Sequence, residues 1–176
     1  LSKFADMFCL FTIITHIVPH GIDQGLAAPV SITVLSSIGA SSILGRLIFG
    51  MGYDLLGPRH SLMICFFTLL VSFVIIQTIP DPKLLFLFAF IYGIAHGGFF
   101  AIASPSIADY FGTKSHGIIF GIVLFCGTLG GTIGPLTAGR VFDITNSYDI
   151  TFLAVSGAAI FGLALAYHLQ NPRRTT

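Results

Sequence analysis

Charge is what this sequence has least of. Of its 176 residues only 9% are Asp, Glu, Lys or Arg, while 55% are hydrophobic. Soluble domains carry about 25% charged residues. Fifteen charges cannot keep this much apolar surface dissolved, so a soluble enzyme is excluded. Glutamate is missing entirely, and the seven acids are all aspartate. A net charge of +1 supplies no basic field, which excludes nucleic acid as a partner. Cysteine is also scarce. Cys9, Cys65 and Cys126 are odd in number and each lies in an apolar stretch. They read as small buried hydrophobes, with no disulfide framework. There is no GxGxxG, P-loop or EF-hand pattern, so no cofactor is expected. A basic n-region followed by a small-residue cleavage site is likewise missing after Leu1. The chain reads as a membrane protein, and as part of a longer one.

What is present is a set of charge-free windows, at 7–22, 24–45, 60–80, 84–108, 115–139 and 150–172. A helix crossing a bilayer needs about 17–25 mostly apolar residues, and five windows are long enough. Strict alternation does not occur, and 61–79 is apolar on every face, which excludes a transmembrane β-barrel. Turn signals fall between the windows at Gly57-Pro58, Pro80-Asp81-Pro82, Gly112-Thr113 and Asn146-Ser147. The expectation is an all-α polytopic protein with six transmembrane helices, at roughly 4–20, 28–52, 60–79, 83–107, 115–140 and 150–169. Lys3, Arg59, Lys114, Arg173 and Arg174 collect on one side, Lys83 and Arg140 on the other. Both ends of the segment are therefore expected in the cytoplasm.

An offset of 89 residues lays Gly45, Leu47, Gly50 and Asp54 over Gly134, Leu136, Gly139 and Asp143, with Tyr53 over Phe142. Three helices per unit place equivalent segments on opposite sides of the membrane. That arrangement is an inverted repeat of the kind secondary transporters use.

Residues 50–60, Gly-Met-Gly-Tyr-Asp-Leu-Leu-Gly-Pro-Arg-His, resemble the loop signature of the major facilitator superfamily. Gly50, Asp54, Gly57 and Arg59 match it, whereas Leu55 and Pro58 stand where the signature has bases. Gly134-Pro135-Leu136, Gly139, Phe142-Asp143 and Ser147-Tyr148 are similar to the C-terminal half of monocarboxylate porters and oxalate–formate antiporters. His16 to His20 and Ser104 to Gly112 resemble the same group. The resemblance implies helices seven to twelve of a twelve-helix carrier, with the N-terminal half absent from this chain and acting as its partner. Gly50, Asp54, Gly57 and Arg59 would form a latch that stabilises one state of that carrier.

Arg46 lies eight residues before Asp54, so it sits about 12 Å inside a core about 30 Å thick. An arginine there normally faces a cavity or a partner, and its planar fork matches a carboxylate. In the resembled carriers an Arg four residues before a motif glycine is associated with substrate carboxylate, and Arg46 and Gly50 have that spacing. Some of them carry an acid four residues earlier, where this chain has Ser42. With one interior cation, the expected substrate is a small monocarboxylate, with a proton as possible co-substrate. His16, Tyr92 and His96 are the other candidate substrate-binding residues; the alternative for the histidines is packing. His16 and His20 lack the further ligands a metal site needs. Gly127, Gly130, Gly131 and Gly134 form a small-residue stripe for close helix packing.

Other functions fit parts of this pattern. Six helices and Gly39-Ala40-Ser41-Ser42 superficially resemble rhomboid-type intramembrane serine proteases, with His168 as base. The fourth position is not glycine there, and Arg46 is left without a role. A major facilitator carrier of an unrelated solute, and a six-helix unit working as a homodimer, are the remaining alternatives.

Overall fold

The computed structural model describes residues 1–78 and 84–170. Among them the chain forms five long helices: α1 (Ser2–Asp23), α2 (Ala28–Thr78), α3 (Leu84–Phe111), α4 (His116–Thr145) and α5 (Asp149–His168). All five are long and apolar enough to cross a membrane. A helix satisfies its own backbone in lipid, which is why such uniformly apolar runs adopt it. Their hydroxyls follow the same rule by bonding backward to their own helix. Thr33, Ser37, Thr68, Thr128 and Thr132 each donate to the carbonyl four residues earlier.

The helices outlast the charge-free windows at their C-terminal ends. α1 includes Asp23, α3 includes Asp109, and α4 includes Arg140 and Asp143. A charge is costly at the membrane centre but tolerated at a helix end near water, so hydrogen bonding rather than charge sets these ends. At the end of α1 the Gly25 N–H donates to Ile22 O at 2.9 Å and the Leu26 N–H to Gly21 O at 3.0 Å. With Gly25 at φ 85°, this is a Schellman closure. Asn146, at φ 51°, caps α4 with its N–H on Phe142 O at 2.8 Å. His20, the last residue of the helix expected at 4–20, is buried inside α1, which continues past Pro19 to Asp23.

Where two helices were expected at 28–52 and 60–79, there is one element, α2, broken at Gly57. The expected helix ends at 79 and 83, the Pro80-Asp81-Pro82 turn, Lys83, Arg173 and Arg174 lie outside the described residues. Gly57 has φ 75° and ψ 174°, a conformation open essentially to glycine alone. Pro58 favours an extended predecessor and then restarts the helix with its ring at the first position, so no loop is needed. Contacts along α3 show what the break does. In the first limb, Ser41 bonds Ala89 O and Phe49 lies against Gly98. In the second, Phe73 meets Tyr92 and Phe66 meets Phe99. The limbs therefore run in opposite senses along α3. Open space surrounds the missing Gly57 Cβ, so Gly57→Ala should act through the backbone alone. It is expected to cost about 1–3 kcal/mol, read as a lower thermal midpoint in detergent. An unchanged midpoint would mean the chain does not turn there in this way.

Glycine decides how closely two helix pairs pack. A Cβ on Gly45 would overlap the Ile94 carbonyl, and one on Gly97 the Ser42 carbonyl, so α2 and α3 meet backbone to backbone. On the other side of the bundle α4 rests on α1 through Gly127, Gly130, Gly131 and Gly134, opposite Met7, Phe4, Phe11 and Thr12. The core between these pairs contains Leu10, Ile13, Phe66, Leu69, Phe73, Phe88 and Tyr92. Much of α4 is left uncovered, with Ile118, Ile122, Phe125 and Leu136 exposed.

Candidate functional site

Arg46 projects from the first limb of α2 at the point where α3 comes closest. The main-chain nitrogen of Arg46 would lie 3.0 Å from a Cβ on Gly97, so its guanidinium emerges directly over the next turns of α3. It sits 5.9 Å from the centre of the Phe100 ring, within cation–π range. Among the described residues no carboxylate lies within ion-pair distance of it. Arg46 is exposed on this chain, so an anion could reach the fork.

His96 and Tyr92 precede Phe100 by one and two turns on the same face of α3. The His96 ring meets the Phe100 ring edge-on at 5.1 Å and stacks on Tyr92 at 6.2 Å. Its Nδ1 is buried with no hydrogen-bond partner among the described residues. Tyr92 is fully buried, and its hydroxyl donates to Leu10 O at 2.7 Å. It ties α3 to α1 and supports His96 from below. Three of the four candidate binding residues, Arg46, His96 and Tyr92, are thus brought together.

His16 is elsewhere. Its Nε2 lies 3.1 Å from Pro135 O and its Nδ1 3.4 Å from the Tyr148 hydroxyl. Burial, with Asp23 and Asp143 nearby, raises the Tyr148 phenol above its ordinary value. Tyr148 therefore stays a hydrogen-bond donor, and His16 holds α1 to α4 and to the start of α5. His20 sits edge-on between Tyr148 and Phe152. No group of three or more metal-ligating side chains occurs among the described residues.

The residues expected to form a latch, Gly50, Asp54, Gly57 and Arg59, lie on both sides of the break in α2. Gly50 faces open space on this chain, and Asp54 is exposed. Arg59 lies over the Tyr167 ring at 5.2 Å. Tyr53, between Gly50 and Asp54, donates to Asp109 at 2.7 Å and joins the end of the first limb to the end of α3. Ser41, the alternative nucleophile, is buried at the α2–α3 contact with its hydroxyl on the Ser37, Ile38 and Ala89 carbonyls. His168 is at the end of α5, with its ring against Tyr167.

Sequence reasoning missed three residues here. Phe100 belongs to none of the expected sites, although it lies four residues after His96 and so on the same helical face. Lys3 counts only as a charge on one membrane side, and the sequence pattern assigns Asp6 no role. The Lys3 ammonium lies 5.2 Å from the centre of the same Phe100 ring and forms an ion pair with Asp6. The i,i+3 spacing of Lys3 and Asp6 was the signal available.

The family model for the Major Facilitator Superfamily matches residues 1–176. The chain is 23% identical over 167 residues to human monocarboxylate transporter 12, covering 91% of this chain and 32% of that protein. It is 32% identical over 124 residues to chicken monocarboxylate transporter 9, covering 68% of this chain and 24% of that protein. An uncharacterised MFS-type transporter of Bacillus subtilis, YcxA, is 30% identical over 121 residues, covering 65% of this chain and 30% of that protein. The chain spans a third or less of the length of these curated relatives. With five long apolar helices and a family match over its full length, the chain is a multi-pass membrane protein that belongs to the Major Facilitator Superfamily.

Proposed function

We propose that this chain is the C-terminal half of a secondary active transporter for a small organic anion, a monocarboxylate, working by alternating access. The two limbs of α2 count as separate crossings, giving six helices and, with the missing N-terminal half, a twelve-helix carrier. Both ends of the segment face the cytoplasm. The observation that carries the reading is Arg46. It is a cation on a membrane-spanning limb with no carboxylate partner here, held against His96 and Phe100 by close helix contact. The relatives named monocarboxylate transporters support the same substrate class.

The internal repeat gains support from packing. Gly45 and its equivalent Gly134 each press against a backbone carbonyl of a neighbouring helix, Ile94 O on α3 and Phe8 O on α1. On this reading the two three-helix units are built alike, and the halves of the carrier rock about a site containing Arg46. The exposed face of α4 and the Gly50–Arg59 segment meet the absent half, where Asp54 and Arg59 latch one state. In the intact protein reconstituted into liposomes, labelled lactate, pyruvate or formate should be taken up and should compete with one another. A dicarboxylate such as oxalate should compete poorly. Uptake of none of the three would remove the monocarboxylate assignment.

A further inference from the structure

The Lys3–Asp6 pair is a second charged group level with Arg46, since Lys3 and Arg46 share the Phe100 ring. Its side chains are 12% and 2% exposed. Asp6 Oδ2 receives the Lys3 ammonium, while Oδ1 is buried with no hydrogen-bond partner among the described residues. A carboxylate so enclosed is costly and depends on its single cation.

Beside it lies a cavity of about 400 Å³ whose walls include Asp6, Lys3, Phe99, Ser106 and Tyr110. It reaches Leu1, Phe111 and Leu169, at the start of α1 and the ends of α3 and α5. Its lining is mostly apolar, yet Tyr110 presents a buried hydroxyl with no partner among the described residues. Water needs room and two or more polar partners. Asp6 Oδ1, the Ser106 hydroxyl and the Tyr110 hydroxyl supply them along this path.

Resting on the monocarboxylate reading of Arg46, we propose that Asp6 takes up the proton that accompanies the substrate, and that Lys3 links its protonation to occupancy of Arg46. A substrate carboxylate arriving at Arg46 draws the Lys3 ammonium away from Asp6. The Asp6 carboxylate, now uncompensated, accepts a proton from hydronium in the cavity. An O–H bond forms on the carboxylate, and water is left behind. Release of the substrate returns Lys3 to Asp6 and sends the proton back to water. The cluster thus carries the same net charge empty as it does with anion and proton aboard, so both movements of the cycle carry equal charge.

The groups facing Asp6 fit this assignment. Lys3 and Cys9 lie on its own helix; Cys65 and, across Phe100, Arg46 lie on α2; Tyr92, His96 and Tyr110 lie on α3. α4 and α5 contribute Val123 and Leu165, and Leu169 follows the end of α5; none of them carries a charge. Asp6 is the one carboxylate among these groups.

The test separates exchange from coupled uptake in liposomes holding the intact carrier. Asp6→Asn should keep lactate–lactate exchange within about twofold while pH-gradient-driven accumulation falls at least about tenfold, the usual range of a coupling between two sites. Accumulation by Asp6→Asn at the wild-type level overturns the proposal. So does equal loss of exchange and accumulation in a folded variant, which marks Asp6 as structural. If Asp6→Asn does not fold, difference infrared spectra of the wild-type protein decide instead. Lactate should raise a carboxylic-acid C=O band that shifts in D2O, and no band overturns the proposal. Wild-type exchange of lactate without response to a pH gradient overturns the proton role alone. No wild-type exchange of any monocarboxylate overturns the transporter reading beneath it.

Discussion

Arg46→Lys is expected to depress monocarboxylate uptake about ten- to a hundredfold although the charge is kept. A hydrogen bond to a charged group contributes about 1.5–3 kcal/mol, and each 1.4 kcal/mol is about tenfold. Lysine keeps the point charge but loses the planar fork that holds both carboxylate oxygens. It also alters the cation–π contact in which the guanidinium carbon lies 5.9 Å from the centre of the Phe100 ring. The loss should therefore appear mainly as a higher KM for lactate or formate, measured from initial rates in proteoliposomes. Arg46→Ala should abolish uptake while leaving the thermal midpoint near that of the wild type, because the side chain is exposed and pairs with no acid among the described residues. Normal uptake by Arg46→Ala would remove Arg46 from the site. Normal uptake by Arg46→Lys alone would reduce its role to that of a charge.

Much of this arrangement was legible because lipid makes strict demands. A chain with fifteen charges shows its spans directly, and a lone arginine within one of them stands out. The small-residue stripe at Gly127 to Gly134 was readable from spacing, and in the structure it lies against α1. Two things were not readable. Charge windows mark where lipid tolerates the chain, so they fell short of helices that continue to Asp23, Asp109 and Asp143. They also separated two helices that the structure joins through a single residue, Gly57. The Lys3–Asp6 pair was hidden for a related reason. Counting charges by loop assigns Lys3 to the surface, whereas the pairing that lets it enter the bundle is a tertiary fact. So is the Phe100 ring it shares with Arg46.

A second large effect is expected where glycine sets a helix contact beside the site. Gly97→Ala adds one methyl group, and in an isolated helix the change would stabilise by up to about 1 kcal/mol. Here the new Cβ overlaps the Ser42 carbonyl and crowds the Arg46 nitrogen. A backbone carbonyl cannot rotate away, so α2 and α3 must separate along a contact that Gly45 and Gly93 also depend on. Overpacking of this kind costs about 1–3 kcal/mol, enough to outweigh the propensity gain. Gly157→Ala on α5 is the matched control, because nothing lies within 4 Å of its added Cβ. Thermal unfolding in detergent should place Gly97→Ala below wild type and Gly157→Ala at or above it. The same separation moves Arg46 away from His96 and Phe100, so Gly97→Ala should also lose lactate affinity. If Gly97→Ala were as stable as Gly157→Ala and bound lactate normally, the close α2–α3 contact would not be what aims Arg46.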